Sequence, residues 1–306
     1  MFRVDLRRLI MALCLFSTLL AAVTFMLASY LVQRDQLVST ALESNRVYAL
    51  KLAKLTDTLL VQSRNALMQV AQDASNPLLS PSERQTLIAR LQRHTSYFNS
   101  VVWFGPDNRV MAQSPDNLGR FGQVVDTDRS RRAILMQEPT ITDPFIASTG
   151  RMLLSQIVPI KSSDGHPQGY VIGNLYLHEA NELHSLLDEH YFKDASYTYV
   201  LNKRGEVVFH PDAKWIGERA PHEEIIKAMA AAPDGKMFFP SGNGQVTLAG
   251  FATVATSGWG VVVARPQADV LQRLNELSLR TLLIAAPLVL LSLLLIGWHV
   301  THIEKP

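Results

Sequence analysis

The sequence predicts an α+β protein in which a long N-terminal helix and two tandem antiparallel-sheet modules are flanked by two transmembrane helices. Three observations predict this fold. A charge-free apolar run lies near each end, an uninterrupted helical pattern follows the first run, and a strand–turn–strand pattern occurs twice. With 306 residues, 47% of them apolar, the chain is long enough for one large or two modest domains with ordinary cores.

The two apolar runs predict transmembrane helices at residues 9–32 and 281–299. The first run has 24 residues without a formal charge, and the second, residues 281–298, has 18. A helix rises about 1.5 Å per residue and the hydrocarbon core of a membrane is about 30 Å thick, so each run is long enough to cross. A cleaved signal peptide is the alternative for the first run, although its apolar stretch is usually about 7–15 residues.

The basic residues near the N-terminus predict the orientation. Arg3, Arg7 and Arg8 precede the first apolar run, and short cytoplasmic segments are enriched in Lys and Arg. Residues 1–8 are therefore predicted to be cytoplasmic, and the residues between the two runs are predicted to face outward.

Composition excludes several classes of protein. The one cysteine, Cys14, lies in the first apolar run, so the outward part has neither a disulfide nor a thiolate metal site. The net charge of +2 and the lack of a long basic stripe argue against nucleic-acid binding. No phosphate-binding loop, nucleophile elbow or zinc-protease signature occurs, so we expect a non-enzymatic chain without a cofactor.

Residues 33–75 are predicted to continue from the first span as one helix. No Gly or Pro occurs between Gln33 and Ala74, and apolar residues recur every three or four positions. The apolar stripe needs a neighbour, which is either the protein's own sheet, a second copy of the helix, or each in different parts. Asn45 either specifies the register of such a helix pair or is solvated.

The next segments predict a short helix and then a repeated β pattern. Asn76 and Pro77 end the long helix, and the sequence Ser-Pro-Ser-Glu at residues 80–83 forms a capping box for the next one. Two strands then flank a turn at residues 105–108, and the same pattern returns about 96 residues later around residues 202–205.

Each copy of the pattern closes with two long strands. They are predicted at residues 152–160 and 168–177 in the first copy, and at 245–255 and 259–265 in the second. We therefore predict a membrane-distal module at 76–190, a membrane-proximal module at 191–267, and a juxtamembrane helix at 268–280 that leads into the second span.

The plan resembles that of the double Cache (dCache) sensor domains of bacterial receptors, which contain two tandem PAS-like modules. The most specific pieces are residues 199–212, Tyr-Val-Leu-Asn-Lys-Arg-Gly-Glu-Val-Val-Phe-His-Pro-Asp, and residues 257–263, Ser-Gly-Trp-Gly-Val-Val-Val. These are similar to the opening and closing hairpins of the proximal module. In the distal module, residues 128–129, 143–145 and 158–160 are similar to family landmarks.

Residues 300–306 resemble the start of a HAMP linker. We therefore expect this sequence to be the sensor portion of a longer receptor, with a protein lacking an output domain as the alternative.

The resemblance implies a function in signal transduction. It implies a homodimeric receptor in the bacterial inner membrane, with a periplasmic sensor that binds a small molecule in the distal module. The signal passes through the second span to a cytoplasmic output, for which cyclic-di-GMP synthesis by a diguanylate cyclase is favoured and a histidine kinase or chemotaxis output stays open.

Candidate ligand-binding residues follow from the same resemblance. Arg129 stands where the family's arginine grips a ligand carboxylate, a group that a guanidinium binds with two parallel donors. Asn174 stands where amino-acid-binding members carry the Asp that holds the ligand ammonium. Burying an ammonium without that acid is costly, so an anionic ligand such as a carboxylate is favoured over an α-amino acid.

Further candidates surround these two residues. Arg131 and Arg132 stand where amino-acid-binding members carry an aromatic pair, and an exposed basic loop is the alternative for all three arginines. The other candidates are aromatic and polar residues for which core packing or a local hydrogen bond is the alternative: Trp103, Asp143, Phe145, Gln156, Tyr170 and Tyr176.

A structural periplasmic membrane protein, such as a polysaccharide co-polymerase, is the alternative function. That class also has a span at each end, but it requires very long helices through most of its outward part. The repeated Gly-containing hairpins argue against it.

Overall fold

The computed structural model describes residues 6–135, 138–162, 164–188, 195–220, 222–240 and 244–302. The helices are α1 (Leu6–Ala74), α2 (Pro81–His94), α3 (Asp128–Leu135), α4 (Glu182–Asp188), α5 (Glu223–Ala231) and α6 (Gln267–His302). The strands are β1 (Ser100–Phe104), β2 (Val110–Ser114), β3 (Thr140–Ile141), β4 (Phe145–Ile146), β5 (Met152–Lys161), β6 (Pro167–Tyr176), β7 (Tyr197–Leu201), β8 (Val207–Phe209), β9 (Asp234–Pro240), β10 (Val246–Thr253) and β11 (Gly260–Pro266).

The helices α1 and α6 each join a predicted span to the outward part without a break. Helix α1 is 69 residues long and α6 is 36 residues long. Each contains a stretch long and apolar enough to cross a membrane, and the apolar side chains of these stretches are exposed. Residues 1–5 and 303–306, at the ends of the predicted N-terminal segment and HAMP-like linker, lie outside the described residues.

The two sheets are antiparallel and share one topology. The strand order is β2-β1-β6-β5-β3 in the first sheet, where β4 also pairs with β5, and β8-β7-β11-β10-β9 in the second. In each sheet the opening hairpin lies beside the closing long strand. This confirms the predicted α+β fold with two tandem antiparallel-sheet modules, and we keep the names distal module for the first sheet and proximal module for the second.

The faces of the distal sheet differ in what they contact. Side chains alternate between faces along a strand, and one set on β6, including Val171 and Leu175, packs with α1 residues in the main core. The other set carries Tyr170 and Ile172, which pack with Ala133 of α3 in a separate cluster. We call this second face, directed away from α1, the outer face of the distal sheet.

Helix α1 packs against the protein's own sheets, most closely at β10. A Cβ atom added to Gly250 would lie 2.1 Å from the backbone nitrogen of Arg46 and 2.2 Å from the carbonyl carbon of Asn45. The Asn45 amide donates to the carbonyl oxygen of Leu248 at 3.0 Å, and its side chain is buried. Asn45 therefore anchors α1 to β10, and both predicted roles for this residue are wrong.

An ionic cluster supports the same contact. Arg46 pairs with Glu43 on α1 and with Asp234 on β9, while Lys236 reaches Glu43 at 2.8 Å. Hydrogen bonds from Arg46 and Lys236 lower the pKa of Glu43 from 4.5 to about 2. The carboxylate therefore stays ionised, and paired, across the neutral pH range.

We expect Gly250→Ala to lower the free energy of unfolding by about 2 kcal/mol or more, because the methyl group would overlap the backbone of α1 and overpacking of this kind is costly. Chemical denaturation of the chain in nanodiscs measures the change. Gly297→Ala is the control, since nothing lies within 4 Å of a Cβ atom there. Equal unfolding midpoints for the two variants would contradict the close contact.

Candidate functional site

A row of polar side chains crosses the outer face of the distal sheet. Ser155, Asn174 and Ser100 lie side by side on β5, β6 and β1. The Ser155 hydroxyl donates to Asn174 Oδ1 at 2.6 Å, and Asn174 Nδ2 donates to Ser100 Oγ at 3.0 Å. Both serines are buried while Asn174 is half-buried, so the amide is the accessible part of the row.

An aromatic row adjoins the polar row. Phe145 of β4 pairs with Leu153, which pairs with Tyr176 of β6. The Tyr176 hydroxyl donates to Ser100 Oγ at 2.9 Å and so links the two rows. Arg151, which forms an ion pair with Glu179 at 3.3 Å, lies 4.8 Å from the centre of the Tyr176 ring.

Arg129 joins this region from the first turn of α3. Its guanidinium carbon lies 3.8 Å from the centre of the Phe145 ring. Within the residues that the structure describes, Arg129 forms no ion pair. Stacking of this kind holds the planar group in place while its N–H donors stay available to an anion.

The three arginines of α3 do not form one anion site. Arg131 forms ion pairs with Asp126 and Asp128, and the hydrogen bond from Arg131 lowers the pKa of Asp128. Arg132 donates to the backbone carbonyl of Asp128 at 3.3 Å. The charge of Arg131 is therefore already paired within its own segment.

Tyr170 lies on the same face but at its far end. Its hydroxyl donates to Asn108 Oδ1 at 2.7 Å, and its ring stacks on Phe104 with centroids 4.9 Å apart. Burial raises the pKa of this hydroxyl. The residues Ile157 and Ile172 form the row that separates Tyr170 from the polar row.

Two predicted site residues lie on the opposite face, in the core with α1. Trp103 is only 4% exposed, and it packs with the inner residues of the sheet beneath Arg84. Gln156 is buried and donates to Ser63 Oγ at 3.0 Å and to the carbonyl of Leu60 at 3.3 Å. Because strand side chains alternate, neither can reach the outer face, and we remove both from the candidate site.

Asp143 is directed away from the outer face and towards the proximal module. Its Oδ1 accepts from the Asn202 amide at 3.0 Å, and its Oδ2 pairs with Arg204 at 2.9 Å. Both partners lie in the turn between β7 and β8. Asp143 therefore bridges the two modules, and we remove it from the candidate ligand contacts.

A crevice of about 300 Å³ lies beside this bridge. It is lined by residues 139–143 of the distal module and by Lys203, Thr256, Ser257 and Trp259 of the proximal module. A shift of either module would change its width.

The sequence patterns missed Ser100, Ser155 and Arg151. The two serines neighbour Asn174 only through the register of three strands, which a single strand does not reveal. Arg151 follows Gly150 in the loop before β5 and gives no local signal. Among the described residues, no group of three His, Cys, Asp or Glu side chains could hold a metal ion.

Comparison with solved structures shows the fold. The extracellular ligand-binding receptor from Desulfohalobium retbaense has a TM-score of 0.58 at 14% identity, over 76% of this chain and 40% of that chain. The ligand-binding domain of the Pseudomonas fluorescens chemoreceptor CtaA, in complex with L-serine, has a TM-score of 0.57 at 18% identity, over 76% of this chain and 99% of that domain.

A third similar structure is the ligand-binding domain of the Pseudomonas aeruginosa PAO1 amino acid chemoreceptor PctC in complex with GABA. Its TM-score is 0.55 at 16% identity, over 70% of this chain and 94% of that domain. No curated protein matches the chain.

The family model provides the assignment. The dCache_1 model, described as a Cache domain, matches residues 31–274. This range contains most of α1, both sheets and the start of α6. The chain therefore belongs to the dCache_1 family of Cache domains.

Proposed function

We propose that the chain is the sensory part of a homodimeric, two-span receptor of the bacterial inner membrane, with its modules in the periplasm. It binds a small carboxylate on the outer face of the distal sheet and passes the signal to a cytoplasmic output. Cyclic-di-GMP synthesis is the favoured output, with a kinase or chemotaxis output as the alternative. The single observation that carries the ligand class is Arg129, stacked on Phe145 and without an ion-pair partner in the described structure.

The chemistry of the two rows supports a carboxylate without an amino group. Arg129 offers charged donors, while the Asn174 amide and the Tyr176 hydroxyl offer neutral polar contacts. Glu179 is paired with Arg151, the residue that lies over the Tyr176 ring. A ligand ammonium would lose its hydration there without gaining a counter-charge, which is unfavourable.

The second copy of the chain is proposed to pack along α1. This helix has large apolar side chains outside the apolar stretch that remain exposed, including Val47 at 53%, Leu50 at 45% and Leu55 at 38%. A helix face of this kind favours association. The structural-protein alternative requires a mostly helical outward part, and the two sheets do not support it.

The segment 142–146 is proposed to relay the signal between modules. Phe145 contacts Arg129, and Asp143, two residues earlier, contacts Asn202 and Arg204. A ligand that moves Arg129 would also move Phe145, and with it the segment 142–146. The ligand would then favour one of two arrangements of the modules, and its difference in affinity for them sets the size of the response.

We expect Arg129→Ala to weaken carboxylate binding at least about tenfold, since a charge-assisted hydrogen bond typically contributes about 1.5–3 kcal/mol. Isothermal titration calorimetry of the chain in nanodiscs, with propionate, succinate and benzoate as probes, measures the effect. Arg132→Ala is the matched control, because Arg132 donates only within α3 among the described residues. Binding that is unchanged in Arg129→Ala, or equally weakened in both variants, would refute the site.

Asn174→Asp is expected to create binding of L-serine, because the new carboxylate supplies the counter-charge that a ligand ammonium requires. The same titration with L-serine, and with propionate for comparison, measures the change. Asn117→Asp, at an exposed position outside the two rows, makes the same change in charge and should not bind. If Asn174→Asp also fails to bind, the assignment of Asn174 to the ligand contact is wrong.

Arg204→Ala is expected to leave propionate affinity unchanged and to remove most of its effect on the proximal module. The Arg204–Asp143 pair is exposed and contributes only about 0.2–1 kcal/mol to stability, so the variant should fold. Hydrogen exchange of the β7–β8 turn, with and without propionate, measures the relay. Arg219→Ala, which removes another exposed arginine of the proximal module, is the control. A wild-type response in Arg204→Ala would show that the signal takes another route.

A further inference from the structure

Four ring side chains meet in the proximal module and form what we call the aromatic cluster: Tyr197, Tyr199, His210 and Trp215. The two tyrosine rings stack with centroids 6.0 Å apart. The His210 ring centre lies 5.6 Å from that of Tyr197, 5.9 Å from that of Tyr199 and 6.2 Å from that of Trp215. Tyr199 is only 6% exposed, whereas the other three rings are half-buried, so the cluster opens to the surface on one side.

The tyrosine hydroxyls of the cluster have no hydrogen-bond partner among the described residues. Tyr197 and Tyr199 lie two residues apart on β7, so both rings are on one face of the sheet. In the described part of the chain, neither hydroxyl makes a hydrogen bond. The buried tyrosines of the distal module differ, since Tyr170 bonds to Asn108 and Tyr176 bonds to Ser100. Each of these two hydroxyls can therefore donate a hydrogen bond to a ligand and accept one from it.

Small residues lie beside the rings. Ala264 of β11 is directly opposite Tyr197, and Ala249 of β10 is directly opposite Ala264. Both alanines are fully buried in the same core cluster as Tyr199. Core packing therefore closes the cluster on the side of the alanines, and its open side is the one that Tyr197, His210 and Trp215 line.

The groups of the cluster carry no net charge at pH 7. The backbone N–H of Asp212 donates to His210 Nδ1 at 2.9 Å, so in the neutral ring the proton is on Nε2. Burial lowers the pKa of His210, which keeps the ring neutral at pH 7. The Lys214 ammonium lies 5.8 Å from the centre of the Trp215 ring, and it forms an ion pair with Asp212 at 2.6 Å. These groups provide hydrogen bonds and aromatic faces without a net charge.

We propose that the aromatic cluster is a second ligand-binding site, in the proximal module, for an uncharged aromatic or heteroaromatic small molecule. The ligand ring packs against the half-buried rings of Tyr197, His210 and Trp215, and its polar edge bonds to the tyrosine hydroxyls and to His210 Nε2–H. This site is independent of the carboxylate site in the distal module. It differs from that site in its charge as well as in its position.

The test uses the chain in nanodiscs and three uncharged probes: indole, nicotinamide and adenine. Saturation-transfer-difference NMR titrations measure their affinities. Tryptamine and indole-3-acetate present the same ring as indole with a positive or a negative charge. We expect at least one uncharged probe to bind, and indole to bind more tightly than either charged analogue.

Tyr199→Phe keeps the ring and removes only the hydroxyl. We expect this variant to bind the uncharged probe that binds the wild type about tenfold more weakly. Tyr170→Phe makes the same change in the distal module, and Arg129→Ala removes the proposed carboxylate contact. Neither should alter binding of the probe, so failure of the carboxylate site would not affect this result. The proposal is overturned if no uncharged probe binds, if a charged analogue binds more tightly than indole, or if Tyr199→Phe binds as the wild type does.

Discussion

The close contact between α1 and β10 is the constraint on which the rest of the structure depends. At Gly250 the strand backbone comes so near to the α1 backbone at Asn45 and Arg46 that only a hydrogen atom fits between them. The Asn45–Leu248 hydrogen bond fixes the position of the helix along the strand. Because α1 is one helix from its apolar stretch to Ala74, this contact also sets where the distal sheet stands relative to that apolar stretch.

Much of the fold could be predicted from local patterns. The apolar runs, the capping box at Ser80 and the two opening hairpins all have a strong signal within a few residues, and the structure contains each of them. The strand β9 was not predicted, because its side chains are mostly half-buried and it forms only by pairing with β10. The short helices α3 and α5 were missed for a similar reason, since few of their residues are buried.

The candidate site was less accessible to sequence reasoning because it depends on strand register. Asn174 lies opposite Ser155 and Ser100, and shifting either pairing by one residue would bring Gln156 or Val101 onto the same face instead. Trp103 and Gln156 have suitable chemistry, but their positions along β1 and β5 direct their side chains to the opposite face of the sheet. Asp143 shows a second limit, because the direction of a loop side chain is decided by partners that lie about sixty residues away in the chain.

The proposed relay through segment 142–146 has a consequence for how such a protein can evolve. A change of ligand preference that arises within this segment would also disturb the bridge at Asp143, so it would be selected against even where it improves recognition. Arg129 and Asn174 lie on separate elements, α3 and β6, and neither contacts the bridge. New ligand preferences should therefore accumulate on α3 and β6, while the segment between β3 and β4 diverges slowly.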